Sequence, residues 1–298
     1  MNKDIKICFM GTPIFGRNVL KKLIEEYTVV LVVTQPDKPN KRGNKIEFSP
    51  VKELAVSYNI PVFQPENIKE DHSLMEEYSF DFLVTAAYGQ FIPLDVLHLP
   101  KFKTLNVHGS DLPKYRGGAP IQRAIMQGDE YLGVTVMHTI LKMDAGVMYK
   151  KSLIKLEDSD TTGTMMEKLS IKGSEDLVEV INKMYEDFDS VIGIHQDVSL
   201  VTFSPNISKE EEIIDFNKDA RDVFNSIRAL NPDPIMHFSF KGENYKVYSS
   251  HIVINDSNKE NGEILENRKE LIIKCAKDAI AFDIIQPQSK KPMNIKDF

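Results

Sequence analysis

Tryptophan is absent from this chain of 298 residues, cysteine occurs only twice, and no apolar run is long enough to cross a bilayer. Two thiols are too few for a disulfide framework or a cysteine-based zinc site, and a spanning helix needs about 20 apolar residues. Asp4 interrupts the basic and then apolar order that a signal peptide requires. We therefore expect a cytoplasmic protein with no membrane partner, no metal site and no obligate protein partner.

An excess of positive charge is also missing, since 37 Lys and Arg stand against 44 Asp and Glu, for a net charge of −7. A polyanion such as a nucleic acid must then be held by a local basic patch. Such a patch is formed by Lys38, Lys41, Arg42 and Lys45, in a loop between residues 34 and 49. We expect these four side chains to contact RNA; the alternative is an ordinary solvated loop.

Strand and helix patterns alternate along the first two thirds of the chain. The apolar runs 5–10 and 29–33 are each followed by a turn and a helical pattern. This alternation predicts an α/β fold with a doubly wound, mostly parallel sheet. Helical patterns at 209–216 and 219–229 lead into short β runs without helices, which predict a small barrel or sandwich. We place the domains at 1–204 and 205–298.

The segment 104–123 carries the polar residues best suited to chemistry. Asn106 and His108 are two apart in a predicted strand, so their side chains project from the same face. They lie at the carboxyl end of that strand, where open α/β sheets bind ligands, and a glycine-rich loop follows. Asp144 lies in a later loop; it is either a turn residue or a carboxylate that orients His108 or accepts a proton.

The turn from Gly11 to Gly16 follows the first strand and has two interpretations. A helix N-terminus after a glycine turn can bind an anion. The turn lacks both the Lys-Ser/Thr pair of a phosphate-binding loop and the three-glycine spacing of the dinucleotide fingerprint. A tight strand-to-helix connection is therefore the favoured interpretation. Cys8, inside the first strand, is expected to be a small buried apolar residue rather than a nucleophile.

Several short motifs taken together resemble those of the methionyl-tRNA formyltransferases, and the resemblance covers nearly the whole chain. The motifs are Phe9-Met-Gly-Thr-Pro13, Gln35-Pro-Asp37, Ser49-Pro-Val-Lys52, Asn106-Val-His108, Leu112-Pro-Lys-Tyr-Arg-Gly-Gly-Ala-Pro-Ile-Gln122, Asp144-Ala-Gly146 and Ile227-Arg-Ala-Leu-Asn-Pro232. The resemblance implies a Rossmann-like domain followed by an oligonucleotide-binding-like (OB-like) barrel. It also implies transfer of a formyl group from 10-formyltetrahydrofolate to the amino group of methionyl initiator tRNA.

The resemblance further implies roles for individual residues. Asn106, His108 and Asp144 would be catalytic, the loop with Arg42 would contact the acceptor stem, and the segment Ser110, Asp111, Leu112 and Pro113 would help to bind folate. Asp111 replaces a leucine that is common in the family, and the chain ends slightly early for the family.

Two other functions are compatible with the same motifs. A formyltransferase for an amino sugar, or a hydrolase that releases formate, would use the same Asn106, His108 and Asp144. The basic loop and the second domain favour a tRNA acceptor over both. An RNA-binding protein without activity is disfavoured, because binding alone needs no such trio.

Overall fold

The computed structural model describes residues 2–39 and 46–298, which separate into two compact units. The first unit combines the chain up to residue 117 with 133–154 and 166–203. The second combines 204–298 with two earlier segments, 118–132 and 155–165. The domain boundaries 1–204 and 205–298 stay a prediction, to which the structure adds these two earlier segments.

The first unit is built on a seven-stranded sheet with the strand order β5-β2-β1-β6-β7-β8-β9. The strands of this part of the chain are β1 (Lys6–Gly11), β2 (Thr28–Val33), β3 (Lys38–Pro39), β4 (Ile46–Glu47), β5 (Val62–Phe63), β6 (Phe82–Ala86), β7 (Lys103–His108), β8 (Tyr131–His138) and β9 (Met148–Lys155). Neighbours from β5 to β7 run parallel and β8 is antiparallel to β7. The short strands β3 and β4 form a separate antiparallel ribbon.

Helices alternate with strands along the chain as far as residue 186, and one more helix precedes the strands of the second unit. They are α1 (Ile14–Glu26), α2 (Pro50–Ser57), α3 (Ser73–Glu76), α4 (Leu94–Leu97), α5 (Pro120–Gln127), α6 (Thr162–Glu186) and α7 (Ala220–Ala229). Helix α2 begins as its sequence predicts, because the Ser49 hydroxyl accepts a hydrogen bond from Lys52 N and Pro50 occupies the first turn. Helix α6 packs closely on the sheet at Gly173, where a Cβ would lie 2.6 Å from the side chains of Val107 and Val134.

The turn between β1 and α1 is explained by backbone packing. A Cβ added to Gly16 would lie 2.7 Å from Ala86 O, and one added to Gly11 would lie 2.8 Å from the same oxygen. Both glycines therefore let the turn approach β6, and this packing accounts for them without a ligand. Cys8 in β1 is fully buried, as expected, and burial raises the pKa of its thiol.

The second unit contains an antiparallel sheet with the order β10-β11-β14-β13-β12 and a short strand β15 beside β14. Its strands are β10 (His237–Phe240), β11 (Glu243–Val253), β12 (Ile264–Glu266), β13 (Leu271–Lys274), β14 (Ala279–Pro287) and β15 (Met293–Asn294). Helix α7 contributes Val223 and Ile227 to its buried apolar core, beside Phe282 of β14. The predicted fold class, a Rossmann-like α/β domain followed by a small all-β domain, is confirmed.

The prediction of a helix at 209–216 is wrong. Glu210–Glu212 form a single 3₁₀ turn, after which the chain is extended and Ile214 N donates to His237 O at 2.8 Å. The Glu211 carboxylate accepts from Ser208 N at 2.9 Å and pairs with Arg123. The segment is therefore held by β10 and by Arg123, and these tertiary contacts outweigh its weak helical pattern. Across residues 2–39 and 46–298, no helix combines the length and the apolar character needed to cross a membrane.

Candidate active site

Strand β7 presents Asn106 and His108 on one face, two residues apart, as its spacing predicts. Thr85, the neighbour of Asn106 on β6, donates its hydroxyl to Asn106 Oδ1 at 2.9 Å. This bond fixes the amide so that its Nδ2 group points away from Thr85. Among the described residues, Nδ2 has no hydrogen-bond acceptor, and the atom is not fully buried. Asn106 therefore offers an oriented N–H donor to a ligand.

His108 is buried, with only 7% of its surface exposed, and both of its ring nitrogens face oxygen atoms. Nε2 lies 3.1 Å from Tyr115 O, and Nδ1 lies 3.7 Å from Asp144 Oδ1. The first distance is that of a hydrogen bond, and the second is that of an ion pair when the imidazole carries a proton. The structure thus brings together the histidine and the aspartate that the sequence analysis had paired.

Asp144 adopts a left-handed backbone conformation, with φ of 48°, in the turn between β8 and β9. Its Oδ2 accepts a hydrogen bond from Gly117 N at 2.9 Å, which leaves Oδ1 directed at His108. Gly146, two residues later, lies against β8, since an added Cβ would be 1.8 Å from His138 O. The Asp-Ala-Gly motif therefore combines a carboxylate in an uncommon backbone conformation with a glycine that lets the turn close.

Two residues outside the predicted site, Gln196 and Arg116, form a hydrogen-bonded pair next to this turn. Gln196 donates through Nε2 to Asp144 O at 2.8 Å and to Gly146 O at 2.9 Å. Its Oε1 accepts from Nε and Nη2 of Arg116, at 3.0 and 2.7 Å. Arg116 belongs to the glycine-rich loop noted in the sequence, whereas Gln196 is 50 residues beyond Gly146, and no motif marks it.

The segment predicted to bind folate is tied to its own surroundings. The Ser110 hydroxyl donates to Lys114 O at 2.7 Å, and Leu112 is fully buried against Met137 and Met148. The Asp111 carboxylate forms an ion pair with Lys151 of β9. Ser110 and Leu112 are therefore engaged inside the protein, whereas Asp111 and Pro113 are partly exposed.

The basic loop is described only at its ends. Lys38 is exposed at the start of β3, whereas the three other predicted RNA contacts, Lys41, Arg42 and Lys45, lie outside the described residues. Asp37, just before β3, forms an ion pair with Lys52 of α2. Gln64 accepts from Lys52 Nζ at 2.7 Å and donates to Asp37 Oδ1 at 2.9 Å. The Gln-Pro-Asp and Ser-Pro-Val-Lys motifs thus meet at the base of this loop.

No group of three side chains suited to a metal ion occurs within residues 2–39 and 46–298. Comparison with known proteins then decides the family. The formyl transferase family model matches residues 5–181, and the model of the formyl transferase C-terminal domain matches residues 206–298. Methionyl-tRNA formyltransferase of Streptococcus thermophilus is 43% identical over 298 residues, covering 98% of this chain and 94% of the relative. The chain belongs to the methionyl-tRNA formyltransferase family. The family predicted from the motifs is confirmed.

Solved structures extend the likeness in fold to a sugar formyltransferase and to HypX. WlaRD, a sugar 3N-formyl transferase crystallised with dTDP and 5-N-formyl-THF, matches with a TM-score of 0.67 at 18% identity, covering 97% of this chain and all of that one. HypX from Aquifex aeolicus in complex with tetrahydrofolic acid matches with a TM-score of 0.63 at 17% identity. The match covers 98% of this chain but only 46% of HypX. At these identities the likeness concerns the fold alone.

Proposed function

We propose that the chain transfers the formyl group of 10-formyltetrahydrofolate to the amino group of methionyl initiator tRNA. The observation that carries the proposal is the contact of His108 with Asp144, beside the oriented amide of Asn106 on the same strand face, in a chain that is 43% identical to a methionyl-tRNA formyltransferase. The same structural neighbourhood includes a sugar formyltransferase. Identity over nearly the full length favours the tRNA acceptor over an amino sugar or water.

The reaction needs stabilisation of negative charge at the formyl carbon. Attack by the methionyl nitrogen converts the formyl carbonyl into a tetrahedral oxyanion, which N–H donors in a site of low polarity stabilise. Asn106 Nδ2 is an oriented donor that has no acceptor among the described residues. We assign to it the first hydrogen bond to the oxyanion.

His108 supplies the second donor in this mechanism. Its Nε2 contacts Tyr115 O at 3.1 Å, so donation to the substrate requires that this bond be exchanged for one to the oxyanion. Catalytic hydrogen bonds often form only in the substrate complex, so such an exchange is compatible with the structure without substrate. Asp144 Oδ1, 3.7 Å from Nδ1, orients the imidazole during that exchange.

A proton must leave the attacking nitrogen before the C–N bond to the folate breaks. The proton passes to Asp144, directly or through water, and is returned to the departing folate nitrogen, so that no net proton is consumed by the two steps. Gly117 N donates a hydrogen bond to Asp144 Oδ2 at 2.9 Å, which fixes the position of the carboxylate. These reaction steps require neither a metal ion nor a covalent enzyme intermediate.

Folate recognition is assigned to the segment Ser110, Asp111, Leu112 and Pro113. The side chains of Ser110 and Leu112 are directed into the protein, which supports contact with folate through main-chain atoms and Pro113. Contact with the tRNA backbone is assigned to Lys38, Lys41, Arg42 and Lys45. The Asp37–Lys52–Gln64 network supports this assignment because it holds the start of the loop against α2.

The proposal is tested with one incubation series. The protein is mixed with 10-formyltetrahydrofolate and either charged initiator tRNA, charged elongator methionyl-tRNA or a nucleotide-linked amino sugar. Formyl-methionine on the initiator tRNA, with much slower transfer to the other acceptors, is the expected result. Transfer to the amino sugar with none to tRNA, or release of formate alone, would refute the proposed acceptor.

The basic loop has its own test. Arg42→Ala should raise the KM for tRNA and reduce the slope of its salt dependence by about one unit, because one phosphate contact is lost. The exposed Lys21 on α1 provides the matched control, since Lys21→Ala removes a surface cation that lies outside the loop. Equal salt dependence in wild type, Lys21→Ala and Arg42→Ala would show that Arg42 is not a phosphate contact.

A further inference from the structure

Gln196 occupies an unusual position, since a single side-chain amide connects the turn that carries Asp144 with the loop that caps its carboxylate. Its Nε2 contacts two main-chain oxygens of the turn, Asp144 O and Gly146 O, at 2.8 and 2.9 Å. Its Oε1 contacts the guanidinium of Arg116. Only one orientation of the amide satisfies these contacts, because the two carbonyls need a donor and the guanidinium needs an acceptor.

Arg116 connects this amide to the other side of Asp144. It is buried, with 4% of its surface exposed, and its main-chain N donates to Thr202 O at 2.9 Å. The next residue in the chain is Gly117, whose N–H donates to Asp144 Oδ2. Gln196 is therefore connected to Asp144 twice, through the main chain of Asp144 itself and through the residue next to its carboxylate partner.

The backbone of Asp144 has a reason to need such support. A non-glycine residue with φ of 48° is in a sparsely populated region, and such conformations persist only where surrounding contacts hold them. The neighbouring Met143 is exposed, at 63% of its surface, so the turn receives little packing from its own side chains. The two hydrogen bonds from Gln196 supply the support that packing does not.

We infer that Gln196 is a positioning residue for Asp144, acting through Asp144 O, Gly146 O and Arg116. This inference rests on the proposed function, since it assumes that Asp144 takes part in formyl transfer. A displacement of about 1 Å in a reacting group can reduce a rate by about 100-fold. Loss of the two donors should therefore lower the rate of the chemical step and leave substrate binding nearly unchanged.

Gln196→Glu separates positioning from stability. The carboxylate still accepts from Arg116, in a stronger charge-assisted hydrogen bond, but it cannot donate to Asp144 O and Gly146 O. We expect its single-turnover rate to fall by about 10- to 100-fold, with a cooperative melting transition that shows a folded protein and with KM values for folate and tRNA within about twofold of wild type. Gln196→Met, similar in shape and without a donor, is the second variant if the glutamate disturbs folding.

The control is the adjacent residue. Asp197 caps the Val198–Leu200 turn by accepting from Ser199 N at 2.9 Å and Ser199 Oγ at 2.7 Å, and it makes no contact with the Asp144 turn among the described residues. Asp197→Ala removes polar contacts from the same segment without removing support from Asp144. Its single-turnover rate should equal that of wild type.

The decisive comparison uses the Asp144→Asn background. If Gln196 acts through Asp144, adding Gln196→Glu to Asp144→Asn should change the rate by less than about threefold, because interacting residues are not additive. Full multiplication of the two losses, or a wild-type rate in Gln196→Glu beside a slow Asp144→Asn, would overturn the inference while leaving the proposed function intact. A wild-type protein that transfers no formyl group would overturn both.

Discussion

The turn after β1 and the turn between β8 and β9 both require glycine for the same physical reason, yet they serve the molecule differently. Gly16 approaches Ala86 O and Gly146 approaches His138 O, so each glycine lets two backbone segments touch. In the second turn, Asp144 directs its carboxylate at Gly117 N and His108. A glycine pattern alone therefore indicates close packing; the polar side chain beside it, and the partners it reaches, indicate a site.

The two turns also differ in what surrounds them. The first leads into α1, where Phe15, Gly16 and Val19 are all buried, so neither side of the contact can shift. The second contains the exposed Lys142 and Met143 and is held by Gln196. Replacing the glycine by alanine should therefore have different consequences in the two turns. In the first it should reduce stability alone, and in the second it should reduce activity as well.

The largest expected effect comes from removing the chemistry of the second turn and its partner. His108→Ala and Asp144→Asn should each lower the single-turnover rate by about 10²–10⁴-fold. Their 3.7 Å contact predicts that the double variant loses far less than the product of the two losses. Rates are measured with both substrates saturating, beside a melting curve for each variant. A near-wild-type rate for either single variant would remove that residue from the mechanism.

The next effect compares the glycines directly. Gly16→Ala should lower the free energy of unfolding by about 1–3 kcal/mol, because its Cβ meets backbone that cannot move, and the folded fraction should keep its activity. Gly146→Ala should also lower stability, because its Cβ would lie 1.8 Å from His138 O, and by displacing the turn that carries Asp144 it should in addition lower the rate of the folded fraction by about 10-fold or more. Urea unfolding and single-turnover rates are measured on both. Equal losses of stability with equal activity would break the distinction between the turns.

The sequence was sufficient for the parts of this molecule that depend on local pattern. The continuous apolar run of β2 appears where it is expected, and Asn106 and His108 share a strand because their spacing is that of a strand. The prediction for 209–216 was wrong, since a hydrogen bond between Ile214 and His237, distant in sequence, decides that segment.

The support of the site could not be predicted in the same way. Gln196, Arg116 and Thr85 contact the candidate residues from three separate stretches of the chain. A glutamine in an irregular segment has no periodicity and belongs to no motif, so only the folded backbone shows what its amide reaches. Sequence pattern therefore indicated the candidate site residues themselves more readily than the residues that hold them in place.

A smaller effect concerns the strand end against which Gly146 packs. Burial, with help from the charges of Lys103 and His98, lowers the pKa of His138 to about 4. The unfolded chain has the ordinary value of about 6.5 and so binds the proton more readily between these limits, which means that stability falls as pH drops through this window. His138→Gln should therefore lose about 1–2 kcal/mol less than wild type between pH 7 and pH 5.

Urea unfolding at the two pH values measures this difference. The control is Gly16→Ala, which carries the same histidine and should keep the wild-type pH dependence although its stability is lower. Identical pH dependence in wild type and His138→Gln would mean that His138 titrates alike in the folded and unfolded chain. His138, at the end of β8, would then make no contribution to the pH dependence of the free energy of unfolding.

The smallest effect separates two aspartates of the same unit. Asp144 is mostly buried and faces His108, whereas Asp111 forms an ion pair with Lys151 in which both side chains are about one third exposed. Such pairs contribute about 0–1 kcal/mol. Asp111→Leu should therefore change the free energy of unfolding by less than about 1 kcal/mol and leave the single-turnover rate unchanged. Lys151 Nζ also donates to Leu112 O at 2.7 Å, so Lys151→Met removes a main-chain contact as well and should raise the KM for folate more than Asp111→Leu does. A rate loss in Asp111→Leu comparable to that of Asp144→Asn would show that both carboxylates serve the reaction and that the contact to His108 does not distinguish them.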